Sequence, residues 1–82
     1  MRYEAVFKPK ALKDLQGLPF KLKARVLEKV ELMQDDLKGD VKHLTNLTPE
    51  YRLRVGDYRV LFEVDQGTIV IYRIKHCREA YS

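Results

Sequence analysis

The residues best equipped for chemistry in this chain are its arginines. Residues 51–82 hold five arginines and one lysine, whereas residues 1–50 hold eight lysines and two arginines. Guanidinium keeps its charge at any working pH and forks onto phosphate through two hydrogen bonds, while lysine is a more hydrated point charge. Three of the five sit in one short segment, "YRLRVGDYRVLFEV" at residues 51–64. There Arg52 and Arg54 alternate with Tyr51, Leu53 and Val55, and Arg59 lies between Tyr58 and Val60. Arginines held on rigid strands can grip successive phosphates or stabilise negative charge developing on one of them.

The elements that must position them follow from periodicity. "RYEAVF" (residues 2–7) alternates and predicts a first strand with Tyr3, Ala5 and Phe7 on one face. Pro9 suits the first turn of a helix, and "ALKDLQGL" continues it with Leu12 and Leu15 inward, to a stop near Gly17 and Pro19. From Phe20 the spacing is helical, with Phe20, Ala24, Leu27 and Val30 as one stripe, widened by Leu22, Val26, Met33 and Leu37. Lys21, Arg25, Glu28 and Lys29 are expected to face water, and Gly39 to mark the end. Residues 40–50 form a connector anchored by Val41, Leu44 and Leu47, with room for a short strand. Strands are predicted over about residues 51–55, 58–64 and 68–75, separated by turn signals at Gly56-Asp57 and Asp65-Gln66-Gly67. "HCREAYS" reads as a polar tail. The expected order is β-α-α-β-β-β, an α+β class with a helical hairpin packed on an antiparallel sheet, as one domain over residues 1–82.

Counting pairs across the turns gives the arginines an arrangement. A two-residue turn at Gly56-Asp57 sets Arg54 opposite Arg59 and Arg52 opposite Leu61. In the last strand Val70, Tyr72 and Ile74 look like the core face, which requires a three-residue second loop with Val64 flanking Thr68. That register sets Arg59 opposite Arg73. Arg54, Arg59 and Arg73 would then line up across three strands, with Arg52 and Lys75 on the same face. Like charges placed directly opposite in a sheet are destabilising, so a solvated basic face and an anion site are the two readings to weigh. Glu63 offsets the charge only in part.

Composition narrows the class. Formal net charge is +4, with 45% hydrophobic and 34% charged residues, which suits a folded domain rather than a disordered tail. No apolar run reaches the length of a membrane span, and the opening residues lack the apolar stretch of a signal peptide. One cysteine makes no internal disulfide, and no Cys/His spacing suggests a metal. The expectation is a reduced cytoplasmic protein with no metal, no cofactor and no membrane partner.

The run "YRLRVGDYRVLFEVDQGTIVIYRIKHCREAY" resembles the C-terminal half of the RelE/ParE toxin superfamily, with the RelE branch nearer. "YEAVFKPKALKDLQGLP" is similar to the family's opening strand and helix. The resemblance implies a toxin of a type II toxin–antitoxin pair with a microbial-ribonuclease-like fold. It implies a ribosome-dependent mRNA endonuclease that cleaves the message in the A site of the 70S ribosome, its 2′-hydroxyl attacking the adjacent phosphate, and that a cognate antitoxin holds inactive. The family's basic strand positions fall on Arg52 and Arg54, its "GDYR" arginine on Arg59, its terminal basic position on Arg78 and its terminal tyrosine on Tyr81. Arg73 and Lys75 are the expected RNA-binding companions. Many relatives carry two arginines after the histidine, where this chain reads His76-Cys77-Arg78. That departure keeps open a ParE-like inhibitor of DNA gyrase, and a non-catalytic RNA-binding module is the reading from another class.

Arginine holds phosphate but transfers protons poorly, so the chemistry needs a further group. Tyr81 would orient the 2′-hydroxyl, stack on a base or act as a phenolate, or else pack in the tail. His76 has the best intrinsic pKa for acid–base work, yet its parity with Ile74 points it to the core face. Asp57 belongs to the turn, His43 lacks a partner in the sequence, and no Glu/His pair stands at useful spacing.

Overall fold

The computed structural model describes residues 1–44 and 49–80. The alternating segments become three consecutive antiparallel strands: β3 (Tyr51–Val55), β4 (Tyr58–Asp65) and β5 (Thr68–His76). The opening strand, β1 (Glu4–Phe7), runs parallel to β5, pairing Glu4 with Thr68 and Phe7 with Ile71. The expected antiparallel sheet is therefore mixed. The helical hairpin that follows β1 carries the chain across one face of the sheet to its opposite edge before the remaining strands begin. A short β2 (Val41–His43) occupies the connector and pairs with β3, giving a five-stranded sheet in the order β1-β5-β4-β3-β2. Leu47, expected as a connector anchor, lies outside the described residues.

The helices are α1 (Pro9–Gln16) and α2 (Phe20–Met33), and both cover one face of the sheet. Pro9 opens α1, where its missing N–H costs nothing. The inward residues of α1 are Ala11 and Leu15, one turn apart; Leu12, expected inward, is exposed. On α2 the buried residues are Val26, Val30 and Met33, whereas Phe20 is 83% exposed and Ala24 and Leu27 also face out. The helix is rotated relative to the expected stripe. Val26, Val30 and Met33 repeat at four and three residues and meet Leu53, Val55, Val60 and Phe62 in a common core. α2 stops at Met33, before the expected Gly39. Gly39 serves the turn into β2 instead: its φ is +117°, and an added Cβ would come within 3.2 Å of Leu53 Cδ1.

The last hairpin carries the main departure. Gln66 and Gly67, both at positive φ, make a two-residue turn, so Asp65 rather than Val64 pairs with Thr68. Farther along the same strand pair the register slips between Leu61 and Phe62, leaving Tyr72 as the extra residue of a β-bulge. A bulge reverses which residues face inward. The core face of β5 is Ile69 and Ile71 before it and Ile74 after it, in place of the expected Val70, Tyr72 and Ile74. The tail is not all irregular, because Cys77–Ala80 forms a single turn, α3, against β4 and β5.

Candidate functional site

The sheet face turned away from α1 and α2 carries the cations. Leu53, Val55 and Val60 point into the core, so period-two alternation turns Arg52, Arg54 and Arg59 the other way. The hairpin register sets Arg54 opposite Arg59, and the β4–β5 register sets Arg59 opposite Lys75. A cationic line, Arg54–Arg59–Lys75, crosses three neighbouring strands. Arg59, at its centre, is 7% exposed and is the buried charged residue of the described chain. Burying a guanidinium between two like-charged cross-strand neighbours opposes folding by about a few tenths of a kcal/mol per like-charged pair, before any burial cost.

The neighbours are held differently. Arg54 is exposed, and its Nε donates to the Gly56 carbonyl at 3.2 Å. Arg52 is fixed: its Nη1 donates to the Asp40 carbonyl at 2.8 Å and to Asp40 Oδ1 at 3.2 Å, and Lys42 stands opposite it on β2. The same Asp40 carbonyl accepts the Arg54 backbone N–H, which pins the start of β2 to this hairpin. Arg78 is exposed on α3, its N–H donating to His76 Nδ1 at 3.2 Å. Tyr81 lies outside the described residues.

Arg73 departs from its expected place in the line. The two-residue turn and the Tyr72 bulge move it opposite Leu61, two positions from where a three-residue loop would have set it. Its Nε and Nη2 donate to Asp14 on α1 at 2.8 and 3.1 Å. Asp14 Oδ2 also accepts the Ile74 N–H at 3.0 Å. β1 ends at Phe7, level with Ile71, so the Asp14 carboxylate takes over the edge of β5 where β1 gives out. Burial pushes the Asp14 carboxyl up, but the hydrogen bonds from Arg73 and Ile74 and the charges of Arg73 and Lys75 outweigh it, leaving the pKa below its ordinary value. No local signal in the sequence marks Asp14, because its partner lies 59 residues away.

Proton-transfer candidates sit away from the line. His76 is paired with Tyr58 on the helix side of the sheet, their rings 5.2 Å apart at 78°. His43 is near Glu50 (3.5 Å) and the Tyr51 ring (4.9 Å) at the β2 edge. Glu63 Oε2 accepts the Tyr72 hydroxyl at 2.7 Å, toward the other end of the face. That bond, with burial and the charges of Glu63 and Asp65, raises the Tyr72 pKa, so this phenol is poorly suited to act as a base. Among the described residues no cluster of His, Cys, Asp and Glu is arranged to hold a metal ion, and no helix is long and apolar enough to cross a membrane.

The family profile for the ParE toxin of type II toxin–antitoxin systems, parDE, matches residues 5–81. The chain is 32% identical over 83 residues to Toxin RelE3 of Methanocaldococcus jannaschii, which spans 95% of this chain and 94% of that protein. Its fold is similar to that of the RelB-RelE antitoxin-toxin complex from Methanococcus jannaschii, with a TM-score of 0.76 and 31% identity over 93% of this chain and 94% of that one. The RelBE2 toxin-antitoxin complex from Mycobacterium tuberculosis gives a TM-score of 0.79 at 28% identity, covering 93% of this chain and 99% of that one. A profile that spans nearly the whole chain and relatives matched end to end lead to one conclusion: the protein belongs to the RelE/ParE superfamily of toxins from type II toxin–antitoxin systems.

Proposed function

We infer that this toxin cuts mRNA in the ribosomal A site and is held inactive by a cognate antitoxin. The observation that carries the reading is the line Arg54–Arg59–Lys75, with its central guanidinium buried. Attack of a message 2′-hydroxyl on the adjacent phosphate forms the 2′-O–P bond and breaks the P–O5′ bond. A 2′,3′-cyclic phosphate and a 5′-hydroxyl result. The transition state carries extra negative charge on the phosphoryl oxygens, and Arg59 at the centre of the line would hold them with a charge fixed in advance by the sheet. Arg54 and Lys75 flank it and would take the neighbouring phosphates, while Arg52, locked by Asp40, supplies a fixed positive potential. Arg78, exposed on α3 just after β5, would neutralise the charge on the leaving 5′-oxygen, which takes its proton from water. Arg73, gripped by Asp14, positions the strand rather than the phosphate.

The proton leaving the 2′-hydroxyl goes to Tyr81 or to a group of the ribosome, since His76 and Glu63 stand elsewhere. Dependence on the ribosome fits a face that binds phosphate strongly and offers little acid–base chemistry of its own. The partnership with an antitoxin draws support from the similar toxins, which were solved as complexes with RelB. An acidic antitoxin segment over the arginine face would neutralise the line.

The test is primer extension on programmed ribosomes incubated with the purified chain. Cuts confined to the A-site codon are expected, and Arg59→Ala should slow them by about 10²–10³-fold, the usual loss for one preorganised charge-stabilising donor. Uncut message alongside blocked supercoiling by gyrase would transfer the chain to the second reading, a ParE-like gyrase inhibitor. The ParE description of the matching profile favours that alternative.

A further inference from the structure

The bulge that removes Arg73 from the line also creates something. Tyr72, the extra residue, is turned to the same sheet face as Glu63, which holds its hydroxyl at 2.7 Å. Its ring forms one side of a cavity of about 540 Å³ lined by Lys8, Pro9, Lys10, Pro49, Tyr72 and Arg73. That volume lies within the range of small-ligand sites, and the lining has the mixture such sites use, apolar surface with a few charged groups. Lys8 Nζ stands 4.2 Å from the Tyr72 ring centroid, so the ring already serves as a cation platform. Neither Lys8 nor Lys10 has an ion-pair partner among the described residues. Arg73 bounds the cavity on the side of Lys75, so the cavity continues the cationic line past the edge of β5.

We propose that this cavity is a second RNA subsite, taking one nucleotide of a single strand whose neighbouring phosphate lies on the Arg54–Arg59–Lys75 line. The base stacks on Tyr72, displacing the Lys8 ammonium, which turns with Lys10 to the nucleotide's phosphate. The hydroxyl bond to Glu63 keeps the ring from rotating away, and proline rings offer apolar walls that suit any base. The subsite binds a single strand by stacking and charge, without reading base edges. It rests on the nuclease reading for its role, but its binding can be measured without cleavage.

The measurement is fluorescence anisotropy of a short labelled oligouridylate with the free chain, titrated in salt. The wild type should bind at low salt, and Tyr72→Ala or Tyr72→Leu should bind about tenfold more weakly, in the range of losing one stacked base. Tyr72→Phe keeps the ring and should stay within about twofold of wild type by the same stacking rule. Lys8→Ala with Lys10→Ala should make the slope of log K against log salt shallower by about 0.7–1.4, for one or two phosphates released. Ultraviolet cross-linking on programmed ribosomes then tells the source. Message attached to Tyr72 assigns the subsite to mRNA, and ribosomal RNA attached there assigns it to the ribosome. Equal binding by Tyr72→Leu and wild type, a Tyr72→Phe loss as large as that of Tyr72→Leu, or A-site cutting with Tyr72 cross-linked to neither RNA would overturn the subsite. Oligouridylate binding that depends on Tyr72 with no A-site cutting would remove the nuclease reading and leave the subsite standing.

Discussion

Replacing Asp14 by alanine tests whether a carboxylate on α1 sets the geometry of the cationic face. The side chain accepts two hydrogen bonds from Arg73, at 2.8 and 3.1 Å, and one from the Ile74 N–H at 3.0 Å. The Arg73 side chain is 37% exposed, so water recovers much of the lost pair, leaving a net cost of about 1 kcal/mol for it. The Ile74 N–H loses its acceptor at a part-buried strand edge, which adds about 1–2 kcal/mol. A total of about 2–3 kcal/mol corresponds, in a domain of this size, to a melting temperature lower by about 10–20 °C. The folded-state pKa of Asp14 is depressed, so its contribution is complete above the ordinary aspartate value of about 3.9 and fades as pH falls through the lower folded value. Urea melts of wild type, Asp14→Ala and Asp14→Asn from pH 7 downward should therefore show a deficit at neutral pH that shrinks in acid. Equal midpoints at pH 7, or a deficit that keeps its full size as pH falls well below the ordinary aspartate value, would refute the reasoning. On the nuclease reading proposed above, Asp14→Asn should also slow A-site cutting, because Lys75 follows directly on the Ile74 that the carboxylate holds.

Other substitutions separate the roles of burial and charge. Met33→Ala should cost about 2–5 kcal/mol in a urea melt, whereas Phe20→Ser on the same helix, 83% exposed, should stay within about 0.5 kcal/mol. Equal costs would mean that α2 is not rotated as described. Arg54→Ala, an exposed change, should leave the melt nearly unaltered yet slow single-turnover cutting and weaken its salt dependence. Asp40→Ala removes only the 3.2 Å carboxylate contact of Arg52 and keeps the backbone carbonyl that accepts from Arg52 Nη1 and the Arg54 N–H, so amide exchange at Arg54 should stay close to wild type. Gly56→Val places a β-branched side chain at φ +60° and should cost on the order of 1–2 kcal/mol in the same melt.

Much of the site was legible because local rules govern it. Alternation separated Leu53, Val55 and Val60 from Arg52, Arg54 and Arg59, and the short Gly56-Asp57 turn paired Arg54 with Arg59 as counted. The resemblance carried by "GDYR" and its flanking strands led to the family the whole-chain comparisons show. The helices were legible as elements but not in rotation: Phe20, Ala24 and Leu27 repeat as regularly as Val26, Val30 and Met33, and periodicity does not say which stripe meets the sheet. Nothing near Asp40 and Lys42 in the chain marks them as parts of the face, and alternation assigns Tyr72 to the core face because the bulge that turns it outward has no local signal.

The sequence by itself determined which residues alternate in β3 and β4, the Gly56-Asp57 turn between them and which of their cations share a face, because each depends on neighbours a few residues away. Only the tertiary structure decided which cation completes the line. A two-residue turn at Gln66-Gly67 and a bulge at Tyr72 replaced Arg73 with Lys75 beside Arg59. The parallel docking of β1 ended at Phe7 and left the next edge of β5 to Asp14. Those outcomes depend on pairing energies summed across segments far apart in the chain. A single extra residue in a strand reverses every side chain beyond it, and no local pattern records that reversal.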